Sequence, residues 1–146
     1  MCDHMLGTLA KWLRLLGFDV IYPGPVPDSE IKDIASQQDR MVLTRDKELA
    51  STTKVQALCV KSDVLEEQLR FVLSELDLKL TDPMSRCSLC NSLVDRVDKS
   101  SVEGKVPEGV FDRQQDFWFC SECDKYYWQG SHWDKIAKTI EELDMS

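Results

Sequence analysis

Four cysteines, arranged as two Cys-x-x-Cys pairs, form the motif of this chain with the clearest chemistry. Cys87 and Cys90 make the first pair, Cys120 and Cys123 make the second, and residues 91–119 lie between them. Each pair places two thiolates on one tight turn, and antiparallel strands could bring the two turns together as four tetrahedral ligands. The pattern predicts a closed structural zinc site, with two disulfides or a four-thiolate iron centre as the alternatives. Because such a site has no open position, we expect any catalysis elsewhere.

Acidic residues at the ends of predicted elements form the second candidate site. Asp3 precedes the first predicted helix, and Asp46 directly follows a short apolar strand. Asp28 and Glu30 open the second predicted helix. Ligands of open parallel sheets bind beyond the carboxyl ends of the strands. Acids gathered there could share Mg²⁺ and activate water for in-line hydrolysis of a phosphodiester. The alternative is structural, because Asp is a preferred helix N-cap.

Alternating helical and strand patterns must position these residues. Leucines at positions 6, 9, 13 and 16 recur at helical spacing and predict a helix over residues 4–17, with Gly17 as its stop. Asp63 and Glu66 match the spacing of a capping box at the start of a later helix. The other predicted elements are strands over 18–22, 41–44 and 55–61 and helices over 29–38, 47–52, 63–76 and 132–143.

This order of elements predicts an α/β fold with a parallel sheet and right-handed crossovers. We expect two parts, an α/β domain over residues 1–82 and a metal-stapled module with a terminal helix over residues 83–146. The segment 77–85, which contains Pro83, is the expected linker.

Composition and charge limit the possible functions. The chain has 146 residues, 42% of them apolar, and a formal net charge of −8 that divides equally on either side of Pro83. This acidity argues against nucleic-acid binding by bulk charge, although it leaves room for a local basic stripe. No segment has the length of a membrane span and no signal peptide is evident, so we expect an intracellular protein, cytoplasmic or nuclear.

Four segments resemble a known family. CDHMLGTLAKWLRLLGFDV at residues 2–20 and VLTRD at residues 42–46 resemble the PIN-like RNase domain at the C-terminus of the Mut-seven exonuclease. RCSLCN at residues 86–91 and YYWQGSHW at residues 126–133 resemble the zinc ribbon attached to that domain. The resemblance implies a PIN-like α/β sheet followed by a rubredoxin-like zinc ribbon, with metal-dependent ribonuclease activity.

The resemblance also implies roles for the acids. Asp3 matches the acid after the first strand, and Asp28 matches the acid that opens the second helix, with Glu30 as a nearby helper. Asp46 matches the acid of the Thr-Arg-Asp motif, and Asp63 is a weaker fourth candidate. We therefore expect catalytic Mg²⁺ or Mn²⁺ at these acids, in addition to structural Zn²⁺.

The start of the chain departs from the family pattern. Only Met1 and Cys2 precede Asp3, so the central strand of the sheet is expected to be missing or reduced to a stub. We expect the domain to belong to a longer protein with an upstream exonuclease domain, or to receive the missing pairing from a partner chain, because unpaired buried backbone groups are costly.

Few residues are candidates for contacts with RNA. The basic ones are Lys11, Arg14, Arg45 and Arg86. The alternative for Lys11 and Arg14 is a solvated helix face. Aromatic residues concentrate in the ribbon, where exposed rings could stack on unpaired bases, although packing inside the ribbon is the alternative.

The sequence as a whole predicts a divalent-metal-dependent ribonuclease domain for single-stranded RNA, within an exonuclease-type protein of RNA processing or RNA silencing. The competing hypothesis is a non-catalytic module, stabilised by zinc, that binds RNA or a protein.

Overall fold

The computed structural model describes residues 1–144, and its first element is the predicted N-terminal helix. Residues His4–Leu6 form a 3₁₀ turn that leads into α1 (Gly7–Leu15). The leucine stripe is buried, as its helical spacing predicts. Gly17 ends the helix with a positive φ of 100°, and an added Cβ there would meet the Asp82 carbonyl oxygen at 2.4 Å. A glycine is therefore required both by the backbone angle and by the close approach of the linker.

A small parallel sheet and three further helices complete the first half of the chain. The strands β1 (Val42–Thr44) and β2 (Ala57–Cys59) pair in parallel. Cys2 forms an isolated parallel bridge to Leu43, so the expected stub of a first strand is present beside β1. The helices are α2 (Asp28–Gln37), α3 (Lys47–Ala50) and α4 (Leu65–Glu75). The parallel α/β arrangement predicted from the sequence is confirmed.

The second half is built around a three-stranded antiparallel sheet. Its strands are β3 (Asp95–Val97), β4 (Phe117–Cys120) and β5 (Lys125–Tyr127), with β4 in the centre. A short helix, α5 (Glu108–Arg113), lies in the connection between β3 and β4 and was not predicted. The terminal helix α6 (Ser131–Asp144) matches its prediction closely. No helix among residues 1–144 is long and apolar enough to cross a membrane.

The larger hydrophobic core extends through both halves. It contains Leu13 of α1 and Leu69 of α4 together with Tyr127 of β5 and Ile136 of α6. A smaller core joins Met1, Ile31 and Leu49 beneath α2 and α3. The larger core therefore supports both the end of the parallel sheet and the cysteine pairs.

The predicted strand over residues 18–22 is wrong. The segment belongs to no strand, and among residues 1–144 the Cys2 N–H, which donates to the Ile21 carbonyl at 3.0 Å, is its one backbone partner beside the sheet. The Asn91 side chain accepts from the Val20 N–H at 3.0 Å, and Arg14 donates to the Val20 carbonyl at 2.8 Å. The first strand is reduced to a single bridge at Cys2. Side chains therefore bond to the Val20 backbone groups that a longer neighbouring strand would have paired.

Two predicted helix caps are also wrong. Asp63 makes no cap, because the N-cap position of α4 is Val64 and no side chain caps this helix. Ser62 instead accepts from the Val64 N–H at 3.0 Å and donates to Glu67 at 2.5 Å. Asp28 lies inside the first turn of α2, after Pro27 at the N-cap position. An acid in a first turn is still favourable toward the helix dipole, so the local stabilisation does not need a side-chain cap.

Candidate metal centre and acidic edge

The four cysteines converge at one end of the antiparallel sheet. The turn after the first pair is closed by the Asn91 N–H, which donates to the Cys87 carbonyl at 3.0 Å. Asn91 and Asp124 each follow the second cysteine of a pair and have φ values of 69° and 53°. Asn and Asp tolerate this left-handed conformation better than most residues, so both turns have the same local origin.

The sulfur positions fit a tetrahedral metal ion. The Sγ atoms of Cys87 and Cys123 are 3.8 Å apart, and those of Cys90 and Cys120 are 3.6 Å apart. A tetrahedron with metal–sulfur distances of 2.3 Å has edges of about 3.8 Å. A disulfide needs roughly 2.05 Å, and all four cysteines are free thiols, so the disulfide alternative is not supported. The four cysteines could therefore hold a metal ion such as zinc.

Hydrogen bonds hold the first cysteine turn in place and change the pKa of one of its thiols. The Tyr127 hydroxyl lies 2.9 Å from the Cys87 Sγ and accepts from the Ser88 N–H at 3.1 Å. Hydrogen bonds from Ser92 lower the pKa of Cys90 to about 6. Outer partners of this kind orient metal ligands, and neither Tyr127 nor Asn91 was predicted in this role. In the sequence, nothing distinguishes Tyr127 from the other aromatic residues of the ribbon.

Arg14 joins the cysteine module to α1. It is buried, and its guanidinium donates to the carbonyls of Val20 at 2.8 Å, Ser88 at 3.0 Å and Leu89 at 3.3 Å. These three hydrogen bonds to backbone carbonyls hold the guanidinium inside the protein rather than at the surface. We therefore assign Arg14 a structural role in place of the predicted contact with RNA.

Two of the predicted acids meet at the carboxyl end of β1. Asp3 is 3% exposed, accepts from the Met5 N–H at 3.0 Å and also accepts a short hydrogen bond from the Thr44 hydroxyl. The Thr44 oxygen accepts in turn from the Asp46 N–H at 2.9 Å. Thr44 was not predicted to have a role, although it lies inside the Thr-Arg-Asp motif. It links the Asp3 carboxylate to the Asp46 backbone, and we call Asp3, Thr44 and Asp46 the acidic edge.

Asp28 and Glu30 lie apart from the acidic edge. Both are exposed in the first turn of α2, and no hydrogen bond or ion pair of the described chain connects them to Asp3 or Asp46. Within residues 1–144, the cysteine cluster is the one group of three or more Cys, His, Asp or Glu side chains close enough to share an ion. Of the five predicted acids, Asp3 and Asp46 are therefore the two that the structure connects, through Thr44.

The other predicted basic residues have different surroundings. Lys11 is exposed on α1. Arg45 is half-buried near the acidic edge and donates to the Lys61 carbonyl at 3.4 Å. It also lines a small cavity of about 190 Å³ that includes Asp63. Arg86 donates to the Asn91 carbonyl at 2.9 Å and so supports the first cysteine turn.

Comparison with known proteins gives one positive finding. A family model described as the Mut7-C RNAse domain matches residues 1–140, which is nearly the whole chain. No curated protein and no solved structure matches this chain. The family model covers both the acidic edge and the four cysteines.

Proposed function

The chain belongs to the Mut7-C RNase domain family, and we propose on this premise that it is a PIN-like, divalent-metal-dependent ribonuclease domain acting on single-stranded RNA. Membership of the family indicates a nuclease-like function with RNA as the substrate. The dependence on Mg²⁺ or Mn²⁺, the preference for single strands and the placement within an exonuclease-type protein of RNA processing or silencing are parts of the proposal.

The observation that carries the proposal is the link between Asp3 and Asp46 through Thr44. Both carboxylates follow parallel backbone segments at the same sheet edge, where open α/β folds bind their ligands. Asp3 is 3% exposed, and hydrogen bonds from the Met5 N–H and the Thr44 hydroxyl hold its carboxylate in place at this edge.

The donor set at this edge fits a hard divalent cation. Mg²⁺ is commonly bound through one or two carboxylates while it keeps several waters, so two adjacent acids suffice for a first attachment. Asp3 and Asp46 would hold the ion, and Asp28 and Glu30, which lie apart from the acidic edge, are given no role at it. A bound ion would supply an activated water and offset the negative charge of the phosphate. Arg45 lies beside this edge and is the basic residue we assign to the substrate phosphate.

We assign Zn²⁺ to the four cysteines in a structural role. Four protein thiolates complete a tetrahedral coordination shell, so no position remains for water or substrate. The ion would brace the antiparallel sheet against α1 through the hydrogen bonds of Arg14.

One observation favours the competing hypothesis of a non-catalytic binding module. Asp3 accepts from the Met5 N–H and Asp46 accepts from the Glu48 N–H at 2.9 Å, so both acids cap the turns that follow them. Capping explains an Asp at either position without catalysis. The competing module would bind RNA or a protein and leave the RNA intact.

The two hypotheses predict different results for Asp46→Asn. Asn is as good an N-cap as Asp, so we expect the free energy of unfolding to change by less than about 0.5 kcal/mol. Under the ribonuclease hypothesis, the cleavage rate of end-labelled single-stranded RNA in Mn²⁺ or Mg²⁺ falls on the order of 100-fold or more, as for the loss of one electrostatic group in an active site.

The matched control is Asp33→Asn, which removes an exposed carboxylate from α2. This control should cleave at the wild-type rate, and EDTA should abolish cleavage by both proteins. Equal cleavage by wild type and Asp46→Asn would reject the catalytic role. Binding of RNA without any cleavage by wild type would support the competing module.

A further inference from the structure

A cleft of about 680 Å³ lies at the junction of the two halves of the chain. Its walls come from α1, α5, β5 and the start of α6, so residues far apart in sequence meet there. The volume lies within the range of about 300–1,000 Å³ that is typical of ligand sites. We call this feature the junction cleft.

The charge of the junction cleft is opposite to that of the chain. Four of its lining residues are basic or histidine, namely Lys11, Arg113, Lys125 and His132, and none of its described lining residues is Asp or Glu. The chain as a whole has 26 acidic residues and a net charge of −8. Basic residues gathered in one cleft of an acidic protein favour the binding of an anionic ligand there.

The cations of the cleft are also free of carboxylate partners. Elsewhere in the described chain, basic residues form ion pairs, such as Arg40 with Asp19, Arg70 with Glu142 and Lys135 with Glu66. No ion pair among residues 1–144 includes a cation of the junction cleft. Their charges are therefore available to phosphate groups.

Aromatic rings line the same cleft. Tyr126, Trp128 and Trp133 are half-buried there. Tyr126 packs against Phe119 at 4.7 Å between ring centroids, and Trp128 meets Phe117 edge to face at 6.5 Å. Rings fixed in this way and still accessible are suited to stack on unpaired bases.

We propose that the junction cleft is the binding channel for single-stranded RNA. Cations beside accessible aromatic rings are the combination that tracks a single-stranded backbone while the bases stack. Paired bases in a duplex are not free to stack on protein side chains, which favours a single strand. The choice of RNA over other polyanions rests on the proposed function.

One helix connects the cleft to the acidic edge. Asp3 caps the 3₁₀ turn that leads into α1, and Lys11 follows it by eight positions, a rise on the order of 12 Å at helical spacing. The junction cleft and the acidic edge are therefore attached to the same helical segment.

The test measures binding without cleavage. A fluorescein-labelled 12-nucleotide oligouridine is titrated with the zinc-loaded protein in EDTA-free buffer that contains no Mg²⁺ or Mn²⁺, and anisotropy is recorded at several salt concentrations. The double variant Lys11→Gln with Arg113→Gln removes two exposed cations. We expect its affinity to fall at least tenfold. The slope of log affinity against log salt should decrease by roughly 1.4, because each neutralised phosphate of a single strand contributes about 0.7 to that slope.

The matched control is the double variant Lys54→Gln with Lys105→Gln, which removes two exposed lysines outside the cleft. It should bind as wild type, and an equal loss of affinity would overturn the proposal in favour of bulk charge. A second readout is tryptophan fluorescence, because Trp12, Trp128 and Trp133 line the cleft. We expect the oligonucleotide to quench it, and Trp128→Phe to reduce the quenching.

Other outcomes are equally decisive. Binding of UMP as tight as that of the oligouridine would overturn the channel in favour of a nucleotide pocket. If the folded wild-type protein does not bind the oligouridine at low salt, the RNA channel is rejected and a protein partner is the remaining occupant of the cleft. If the protein cleaves RNA with a divalent metal and the Lys11 and Arg113 variant binds RNA as wild type does, only the channel is rejected. If the wild-type protein binds RNA in the cleft but does not cleave it, only the proposed ribonuclease activity is rejected.

Discussion

Asp19 shows how a single exposed side chain connects distant parts of the chain. Its carboxylate accepts from Arg40 at 3.0 Å and from the Asn91 side chain at 2.6 Å. Arg40 follows α2, and Asn91 closes the first cysteine turn, so three separate segments meet at one carboxylate. The hydrogen bonds from Arg40 and then Asn91 lower the pKa of Asp19 below its ordinary value.

This lowered pKa predicts a pH-dependent contribution to stability. A carboxyl whose pKa is lower in the folded protein contributes stability above its unfolded pKa of about 3.9, and the contribution is lost as the pH falls through the folded pKa. Asp19→Asn should therefore lower the free energy of unfolding at pH 7 by up to about 1 kcal/mol, since the group is partly exposed.

Urea unfolding at a series of pH values checks this expectation. The difference between wild type and Asp19→Asn should shrink as the pH falls below about 4, because the wild-type carboxyl then becomes neutral as well. The control Asp112→Asn, exposed on α5, should follow wild type throughout. A difference that grows toward acidic pH would contradict the assignment.

At the scale of elements, the contact between α1 and the first cysteine turn is the main connection. Arg14 reaches from α1 to the carbonyls of Ser88 and Leu89, and Asn91 reaches back to Val20. These hydrogen bonds place side chains where a longer strand would have placed backbone partners. The cysteine cluster is therefore attached directly to α1.

Replacement of Arg14 tests this connection. Arg14→Met keeps an apolar side chain of similar length but leaves the carbonyls of Val20 and Ser88 without their donor. We expect the free energy of unfolding to fall by about 3 kcal/mol, because each buried unsatisfied group costs roughly 1–3 kcal/mol. Urea denaturation of the zinc-loaded protein measures the change.

Arg70→Met is the matched control, since it also removes a guanidinium. Arg70 pairs with Glu142 at the surface, and such pairs contribute about 0–1 kcal/mol. Similar losses of stability in the two variants would show that the hydrogen bonds of Arg14 do not brace the protein.

The elements that could be predicted from the sequence are those defined by contacts between residues close together in the chain. The leucine stripe of α1, the apolar run of β1 and the two cysteine turns are local patterns, and each is recognisable in the sequence. The segment 18–22 could not be assigned correctly, because the partners of its backbone include the side chains of Arg14 and of the distant Asn91. The capping box predicted at Asp63 was wrong because α4 begins at Leu65, and a shift of one residue in a helix start is not visible in a local pattern.

The candidate sites follow the same rule. The cysteine cluster was predictable because its spacing alone implies the geometry. The link between Asp3 and Asp46 required the parallel bridge from Cys2 to Leu43, which no local pattern reveals. The junction cleft was the least predictable, because it joins Lys11 to Arg113 and Trp133 across most of the chain.

At the scale of the whole molecule, the two halves share one core. Leu16 before the linker, Met84 within it and Cys120 after it belong to the same buried cluster. Ion pairs between α4 and α6, such as Lys135 with Glu66 at 3.1 Å, cross the same boundary. The proposed metal centre therefore stabilises the scaffold on which the acidic edge and the junction cleft are both built.

The most direct test of the acidic edge is Mn²⁺ binding, measured by electron paramagnetic resonance on the zinc-loaded protein. We expect about one Mn²⁺ bound per wild-type chain. We also expect clearly weaker binding to Asp46→Asn and unchanged binding to Asp33→Asn. Absence of Mn²⁺ binding to the wild type, or equal binding to wild type and Asp46→Asn, would contradict the assignment of the acidic edge as the catalytic site.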